Sequence, residues 1–327
     1  WLESNYGGLV FDHAPVLQSP RLATEDLQAL MRHDATAIHV KGFYPKKAAI
    51  ELGRQLALEA ETKRRNWKIS TSRGLESSDV STLGEHPPFN VACSLGKQKE
   101  YFEGVEREFH HRRFEMSNQG DQALQLPVLW PLDLLRLQLD EAWPIGAGLG
   151  RASSKDSGKY GEAAKPFSGG LPRVMTGPSR WKYGFIHVDE LGPLNVKEGL
   201  FSANIYLQLP DDKKETNTDT EKSTAIHPQS IPAQDILHIW PMGIKSRWDW
   251  YRNALTLSGL SSQDAEDQMR LRRVLGDPIT IACEPGDLVL LCAQRPHAAV
   301  GFSEGTRVSL QCFIQHSGPE ERLNIDT

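Results

Sequence analysis

Cysteine is scarce: the chain has four in 327 residues. Cys93, Cys283, Cys292 and Cys312 show no C-x-x-C spacing, which excludes a zinc ribbon or a thioredoxin-like motif. Three of the four fall in strand-like stretches and are expected as buried thiols, so the expected compartment is reducing and cytoplasmic. Basic excess is also missing. The 37 Lys and Arg are outnumbered by 42 Asp and Glu, the net charge is −5, and no basic block stands out. That removes the electrostatic footprint of a nucleic-acid or anionic-membrane binder. No apolar run approaches the roughly 20 residues that cross a bilayer, and no leader segment is visible after Trp1. Internal repeats are absent too. A hydrophobic content of 39% is enough for a core. The expectation is one domain over 1–327: a helical scaffold part at 1–170, a β-rich core at 171–316 and a tail at 317–327. The expected partner is a small molecule.

Gly7-Gly8, Pro15 and Pro20 mark the first twenty residues as an extended arm. Thr24 to Arg32 reads as a short helix and Ala35 to Val40 as a strand. Pro45 to Glu61 reads as a helix with Ala48, Ile50, Leu52, Leu56 and Leu58 as its apolar positions. The polar stretch from Lys63 to Asn90 is expected as a surface loop. Glu100 to Met116 is expected as a solvated helix, on which His110 and His111 point about 100° apart and so share no metal. Trp130 to Trp143 carries the stripe Leu132, Leu135, Leu139. Ser261 to Gly276 is a helix with a cap at Ser261-x-x-Asp264 and Gly276 as its stop. Polar loops are expected over 151–170 and 211–230.

The chemistry concentrates in three strands. Lys182 to Asp189, KYGFIHVD, alternates so that Tyr183, Phe185, His187 and Asp189 share a face. His-x-Asp on a strand aims an imidazole and a carboxylate at one point. Glu284 to His316 reads as strand, turn, strand, with the Pro285-Gly286 turn ahead of it and His297 in the break. Its last strand sets Arg307, Ser309, Gln311 and Phe313 against Val308, Leu310, Cys312 and Ile314. A cation inside an apolar strand fits either a solvent-facing edge or an anion held within a barrel. Phe201 to Leu209 alternates likewise, with Ser202, Asn204, Tyr206 and Gln208 on one face. Two histidines and one carboxylate form the ligand set of non-heme Fe(II) oxygenases, which leaves metal positions open for co-substrate and oxygen.

On His187-Val188-Asp189, on His297 within PGDLVLLCAQRPHAAVGF, and on Arg307-Val308-Ser309, the chain resembles the 2-oxoglutarate/Fe(II)-dependent oxygenases. Within them it is most similar to the small-molecule, amino-acid-modifying and phytanoyl-CoA-hydroxylase-like branch. The likeness spans roughly Arg173 to His316. It implies a mainly β fold with flanking helices, a double-stranded β-helix (jelly roll) core. It also implies His187, Asp189 and His297 as metal ligands, with Fe(II), 2-oxoglutarate and O2 as the reaction's requirements. Arg307 then pairs with the far carboxylate of 2-oxoglutarate, assisted by Ser309, with Asn204 and Tyr206 lining the same cavity. Arg173 and Arg180 are the next candidates for that carboxylate. Phe185, Trp240 and Phe313 are candidate substrate contacts. Two other classes use parts of this set: a metal-free jelly-roll binding module, and a zinc hydrolase with the same three ligands. The mixed polar and aromatic face suggests an amino acid or a close derivative as substrate.

Overall fold

The computed structural model describes residues 1–71, 74–84, 98–116, 129–151, 164–210 and 235–326. Cys93, the expected loop over 211–230 and most of that over 151–170 lie outside them.

The N-terminal half opens with α1 (Leu2–Tyr6), β1 (Val16–Ser19), α2 (Thr24–Met31), β2 (Ala37–Val40) and α3 (Lys46–Lys63). It continues with β3 (Arg65–Thr71), β4 (Gly74–Thr82), α4 (Gln98–His110), a π-helical turn over His111–Glu115, α5 (Pro131–Ala142) and β5 (Ala147–Leu149). The C-terminal half holds β6 (Leu171–Thr176), β7 (Gly199–Gln208), β8 (Asp235–Ile239), α6 (Arg247–Arg252), α7 (Ala254–Leu257) and α8 (Ala265–Leu275). Then follow β9 (Ile279–Ala282), β10 (Leu288–Cys292), β11 (His297–Ala299), β12 (Thr306–His316) and β13 (Leu323–Asp326).

Two sheets face each other. The larger runs β1-β2-β10-β7-β12-β6-β4-β3, and the smaller runs β11-β8-β9. A single bridge between His187 and His297 adds the His187 segment to the free edge of β11. From β6 to β12 the chain alternates between sheets as a jelly roll does: β6, β7, β10 and β12 in the larger, the His187 segment, β8, β9 and β11 in the smaller. The expected double-stranded β-helix is therefore present.

Strand parity decides what each sheet face packs against. Phe201, Ala203, Ile205 and Leu207 of β7 and Val308, Leu310, Cys312 and Ile314 of β12 join one buried cluster with Leu27, Leu56, Leu135 and Leu139 of α2, α3 and α5. The opposite face looks into the barrel. There Tyr206 packs with Leu237, Ile239, Ile281, Val289 and Leu291 to close one end. On the outside of the smaller sheet, Ile186, Trp240 and Ile244 meet Leu257, Leu271 and Leu275 of α7 and α8.

Several expectations change. α3 buries Ala49, Gly53, Leu56 and Ala60, while Ile50 and Leu58 stay 46% and 52% exposed. The cause is close approach: a Cβ on Gly53 would lie 2.8 Å from Gln208 Cβ. Small residues, not the largest apolar ones, thus face β7. The stretch expected as a surface loop holds β3 and β4, and β4 pairs with β6 through Val80–Met175, Ser81–Val174 and Thr82–Arg173. A strand at a sheet rim needs no apolar alternation, so composition hides it. The opening arm contains β1, parallel to β2. α4 is not wholly solvated: Tyr101, Phe102 and Val105 are buried against Phe167. The π-helical turn after it buries Arg112 on Glu59, while His110 and His111 both turn to Glu115. The α8 cap is Asp264, whose carboxylate accepts from the Glu266 and Asp267 amides. Gly276, at φ 69, ends that helix as expected. Cys283, Cys292 and Cys312 are free and buried. No described helix is long and apolar enough to cross a membrane.

Candidate metal centre

His187 and His297 lie in directly paired segments. The His187 amide donates to the His297 carbonyl at 3.0 Å, and the His297 amide returns the bond at 2.9 Å. Two residues on, the Asp189 amide donates to Ala293 O at 2.9 Å. The chain enters this segment through Gly184, at φ 81, where a Cβ would sit 2.5 Å from Ala299 O. Only glycine combines that conformation with that closeness. Phe185, His187 and Asp189 then face inward, while Ile186 and Val188 pack outward under α7 and α8.

Backbone carbonyls fix both imidazoles. His187 Nδ1 lies 3.0 Å from Phe185 O, and His297 Nδ1 lies 2.9 Å from Arg295 O. A carbonyl only accepts, so each Nδ1 carries the proton and each Nε2 presents a lone pair. Asp189 meets those lone pairs at 3.7 Å from His187 Nε2 and 3.3 Å from His297 Nε2. Its Oδ2 is buried without a hydrogen-bond partner among the described residues. The three donor atoms lie within 4.8 Å of one another. Lone pairs converging without a proton between them repel unless a cation sits among them, so the residues fit a divalent metal.

The charges agree. Burial works against the Asp189 charge, but His297, His187 and Arg173 hold its carboxyl well below the usual carboxylate range. Burial and the neighbouring His297 push His187 down to about 4. Burial also disfavours charge on His297, yet Asp189 outweighs it and raises that imidazole.

The two histidine segments have support beyond themselves. Gln268 of α8 accepts from the Ile186 amide at 2.8 Å and donates to Ile186 O at 3.0 Å, acting as an adjacent strand would. It also donates to Gly259 O at 2.9 Å. Arg295, fully buried, pairs with Asp12 at 3.0 Å, and Asp12 also holds Lys245 at 2.9 Å. The carbonyl that fixes His297 therefore belongs to a residue anchored in the N-terminal arm. Sequence reasoning missed Gln268, Arg295 and Asp12. The only available signal was Arg295-Pro296-His297, where an arginine directly precedes the ligand turn.

Arg307 projects into the barrel from β12. It donates to Val300 O at 2.8 Å, three residues past His297, and approaches Met175 Sδ at 3.0 Å. Its guanidinium stacks over Phe302 at 5.2 Å. Burial pulls its pKa down, partly offset by Tyr206 and Cys283. Among the described residues it has no carboxylate partner. Ser309 stands opposite Tyr206 on β7 and Arg173 on β6, and Asn204 stands opposite Gln311. Asn204, Tyr206, Ser309 and Arg307 thus share the inner face of the larger sheet, as the alternation predicts. Arg180 instead stacks over Trp181 at 5.2 Å.

The aromatic candidates divide. Phe185 stacks on His187, with centroids 5.4 Å apart and planes at 14°. Phe313, on the inner face of β12, pairs in register with Ser202 and Asp326. Trp240 is a correction. Leu237 and Ile239 take the inner positions of β8, so Trp240 falls outside the barrel, fully buried, its indole donating to Gly276 O at 2.9 Å. It is core under α8.

No family model matches the chain, and no curated protein matches it. Among solved structures it is similar to an N-substituted L-amino acid dioxygenase from Burkholderia ambifaria, at 13% identity and TM-score 0.45, over 93% of this chain and 91% of that one. It is also similar to a non-heme α-ketoglutarate-dependent carbocyclase from nogalamycin biosynthesis, at 12% identity and TM-score 0.41, over 94% and 100% of the two chains. A Pseudomonas putida prolyl-4-hydroxylase is similar at 12% identity and TM-score 0.34, over 87% and 96%. These likenesses are distant, and the jelly roll is defined by the chain's own strand pairings.

Proposed function

We propose that the chain is an Fe(II)- and 2-oxoglutarate-dependent oxygenase. In this reading it oxidises a C–H bond of a small polar molecule, an amino acid or a close derivative, by hydroxylation, desaturation or ring closure. The observation that carries it is the convergence of the His187, Asp189 and His297 lone pairs, together with a buried Arg307 that has no acidic partner among the described residues. Iron bound there supplies oxygen activation coupled to conversion of 2-oxoglutarate to succinate and CO2.

The residues divide the remaining work. His187 and His297, locked by their Nδ1 bonds, present Nε2 in fixed directions. Arg307 offers a two-pronged partner to the far carboxylate of 2-oxoglutarate, a geometry lysine does not copy. Ser309, Asn204 and Tyr206 line the same wall with hydroxyl and amide groups. The apolar closure around Ile239, Val289 and Leu291 keeps water from that end. Phe185, beside His187, walls the substrate side.

A zinc hydrolase would use the same three ligands but leave Arg307 without work, and a binding module would need none of the four. Succinate formation from 2-oxoglutarate on adding Fe(II) is the deciding measurement. Metal-dependent succinate supports the oxygenase. Hydrolysis with Zn(II) and no succinate supports the second reading, and neither activity supports the third.

A further inference from the structure

The barrel holds a second inward-facing arginine. On β6, Val174 packs outward in the main core, and Met175 faces inward, its sulfur against Arg307. Arg173 has the inward parity of Met175 and stands opposite Ser309 on one side and Thr82 on the other. It makes no hydrogen bond or ion pair with any described residue. Its guanidinium lies within electrostatic reach of Asp189, His187 and His297. Arg307 faces Met175, so the two arginines are diagonal neighbours on one sheet face, with Cβ atoms roughly 7–8 Å apart by strand geometry.

Two cations that close, with Asp189 the one carboxylate acting on Arg173 among the described residues, call for more anionic charge than those residues supply. The oxygenase reading, on which this inference rests, accounts for part of it. Fe(II) brings two positive charges and each arginine one; Asp189 brings one negative charge and 2-oxoglutarate two. One positive charge remains, on Arg173.

We propose that Arg173 is the specificity-determining anchor for a carboxylate on the substrate, so that the chain acts on a small organic acid carrying one free carboxylate. An amino acid whose nitrogen is acylated fits, because its amino charge is masked and it enters as a monoanion. The carboxylate takes the guanidinium, and the aliphatic or aromatic part extends toward Phe185. An amide or ester of the same molecule presents no charge and leaves the half-buried Arg173 unpaired beneath the bound substrate, which is how a site built for a polar group rejects the wrong ligand.

The test is equilibrium binding without turnover, by calorimetry on the Mn(II)-loaded protein under anaerobic conditions. 2-Oxoglutarate is added first, then matched acid and primary-amide pairs: N-acetyl-leucine, N-acetyl-phenylalanine and 3-phenylpropionate. The acids bind the wild-type complex and the amides bind about 10- to 100-fold more weakly, the range for hydrogen bonds to a charged group. Arg173→Gln removes that preference and Arg173→Lys restores part of it, and in both the change in acid affinity exceeds any change in Mn(II) or 2-oxoglutarate affinity. The acid–amide comparison on wild-type protein stands whether or not a variant folds. Overturning results are equal binding of acid and amide, no binding by any acid, or a matching loss of 2-oxoglutarate or Mn(II) affinity in Arg173→Gln. The last would assign Arg173 to the co-substrate or to Asp189. If 2-oxoglutarate does not bind the wild-type protein at all, the oxygenase reading itself has failed.

Discussion

His187 and His297, 110 positions apart in sequence, exchange both of their backbone hydrogen bonds, at 3.0 and 2.9 Å. The rings sit with centroids 4.4 Å apart. The spacing of the two proposed metal ligands is thus set by strand pairing and not by side-chain reach.

Removing one ligand should therefore abolish metal binding while the fold persists. His187→Ala, Asp189→Ala and His297→Ala are each expected to lose stoichiometric Mn(II) or Fe(II) binding and all succinate formation, with an unchanged far-ultraviolet circular dichroism spectrum. Wild-type protein should gain thermal stability on adding metal, and the variants should not. A variant that still binds one equivalent would remove that residue from the ligand set.

Metal affinity should depend on pH through His297. Asp189 raises that imidazole above its ordinary 6.5 in spite of burial, so as the pH falls His297 is the first of the two imidazoles to take up a proton that competes with the metal. His187, held to about 4, contributes no proton over the same range. Affinity then rises with pH through a single proton step above 6.5 and levels beyond it, changing about tenfold per pH unit below the step. Titration with Mn(II) in buffers of different ionisation enthalpy counts the released proton. Release of two protons near neutrality would contradict the assignment.

Arg307→Ala should weaken 2-oxoglutarate. Breaking a buried charge pair costs about 3–5 kcal/mol, which is a hundredfold or more in affinity. Arg307→Lys should recover only part, because a point charge does not reproduce the fork. Anaerobic titration of the Mn(II)-loaded protein gives both numbers, and an unchanged dissociation constant would relocate the carboxylate site.

Gln268→Ala and Trp240→Phe should separate support from packing. Gln268 satisfies both backbone groups of Ile186, next to a ligand. Its loss leaves buried polar groups unpaired at about 1–3 kcal/mol each and loosens the His187 segment. Metal affinity and melting temperature are both expected to fall. Trp240→Phe removes an indole bonded to Gly276, away from the barrel interior. It should lower the melting temperature and leave metal and 2-oxoglutarate affinities unchanged. Equal metal affinities in wild type and Gln268→Ala would remove the positioning role.

Strand parity made much of this site legible in advance. Alternation alone sorted Arg307 and Ser309 from Val308 and Leu310, and Asn204 and Tyr206 from Ile205 and Leu207, because a half-buried strand has to divide its residues that way. Trp240 was misplaced because it follows β8 at the boundary of an unreadable polar tract, where parity had no anchor. Gln268, Asp12 and Arg295 were invisible for another reason. Gln268 bonds the backbone of Ile186, Arg295 offers its own carbonyl to His297 Nδ1, and Asp12 holds the Arg295 guanidinium from the N-terminal arm, so each acts through a backbone group or through another residue and leaves no local pattern in the sequence. β3 and β4 were hidden because their polar, rim-side residues carry no apolar period.

The strands from the N-terminal half have a bearing on any attempt to move this barrel. β2 hydrogen-bonds along β10 and β4 along β6, one on each rim of the four jelly-roll strands in the larger sheet. Arg295 reaches back to Asp12 as well. A fragment starting at Leu171 would keep every proposed ligand yet carry two bare rims of unpaired amides and carbonyls, which invite edge-to-edge self-assembly. The barrel is therefore a poor cassette for grafting: its chemistry lies in the second half of the chain, and its solubility depends on the first.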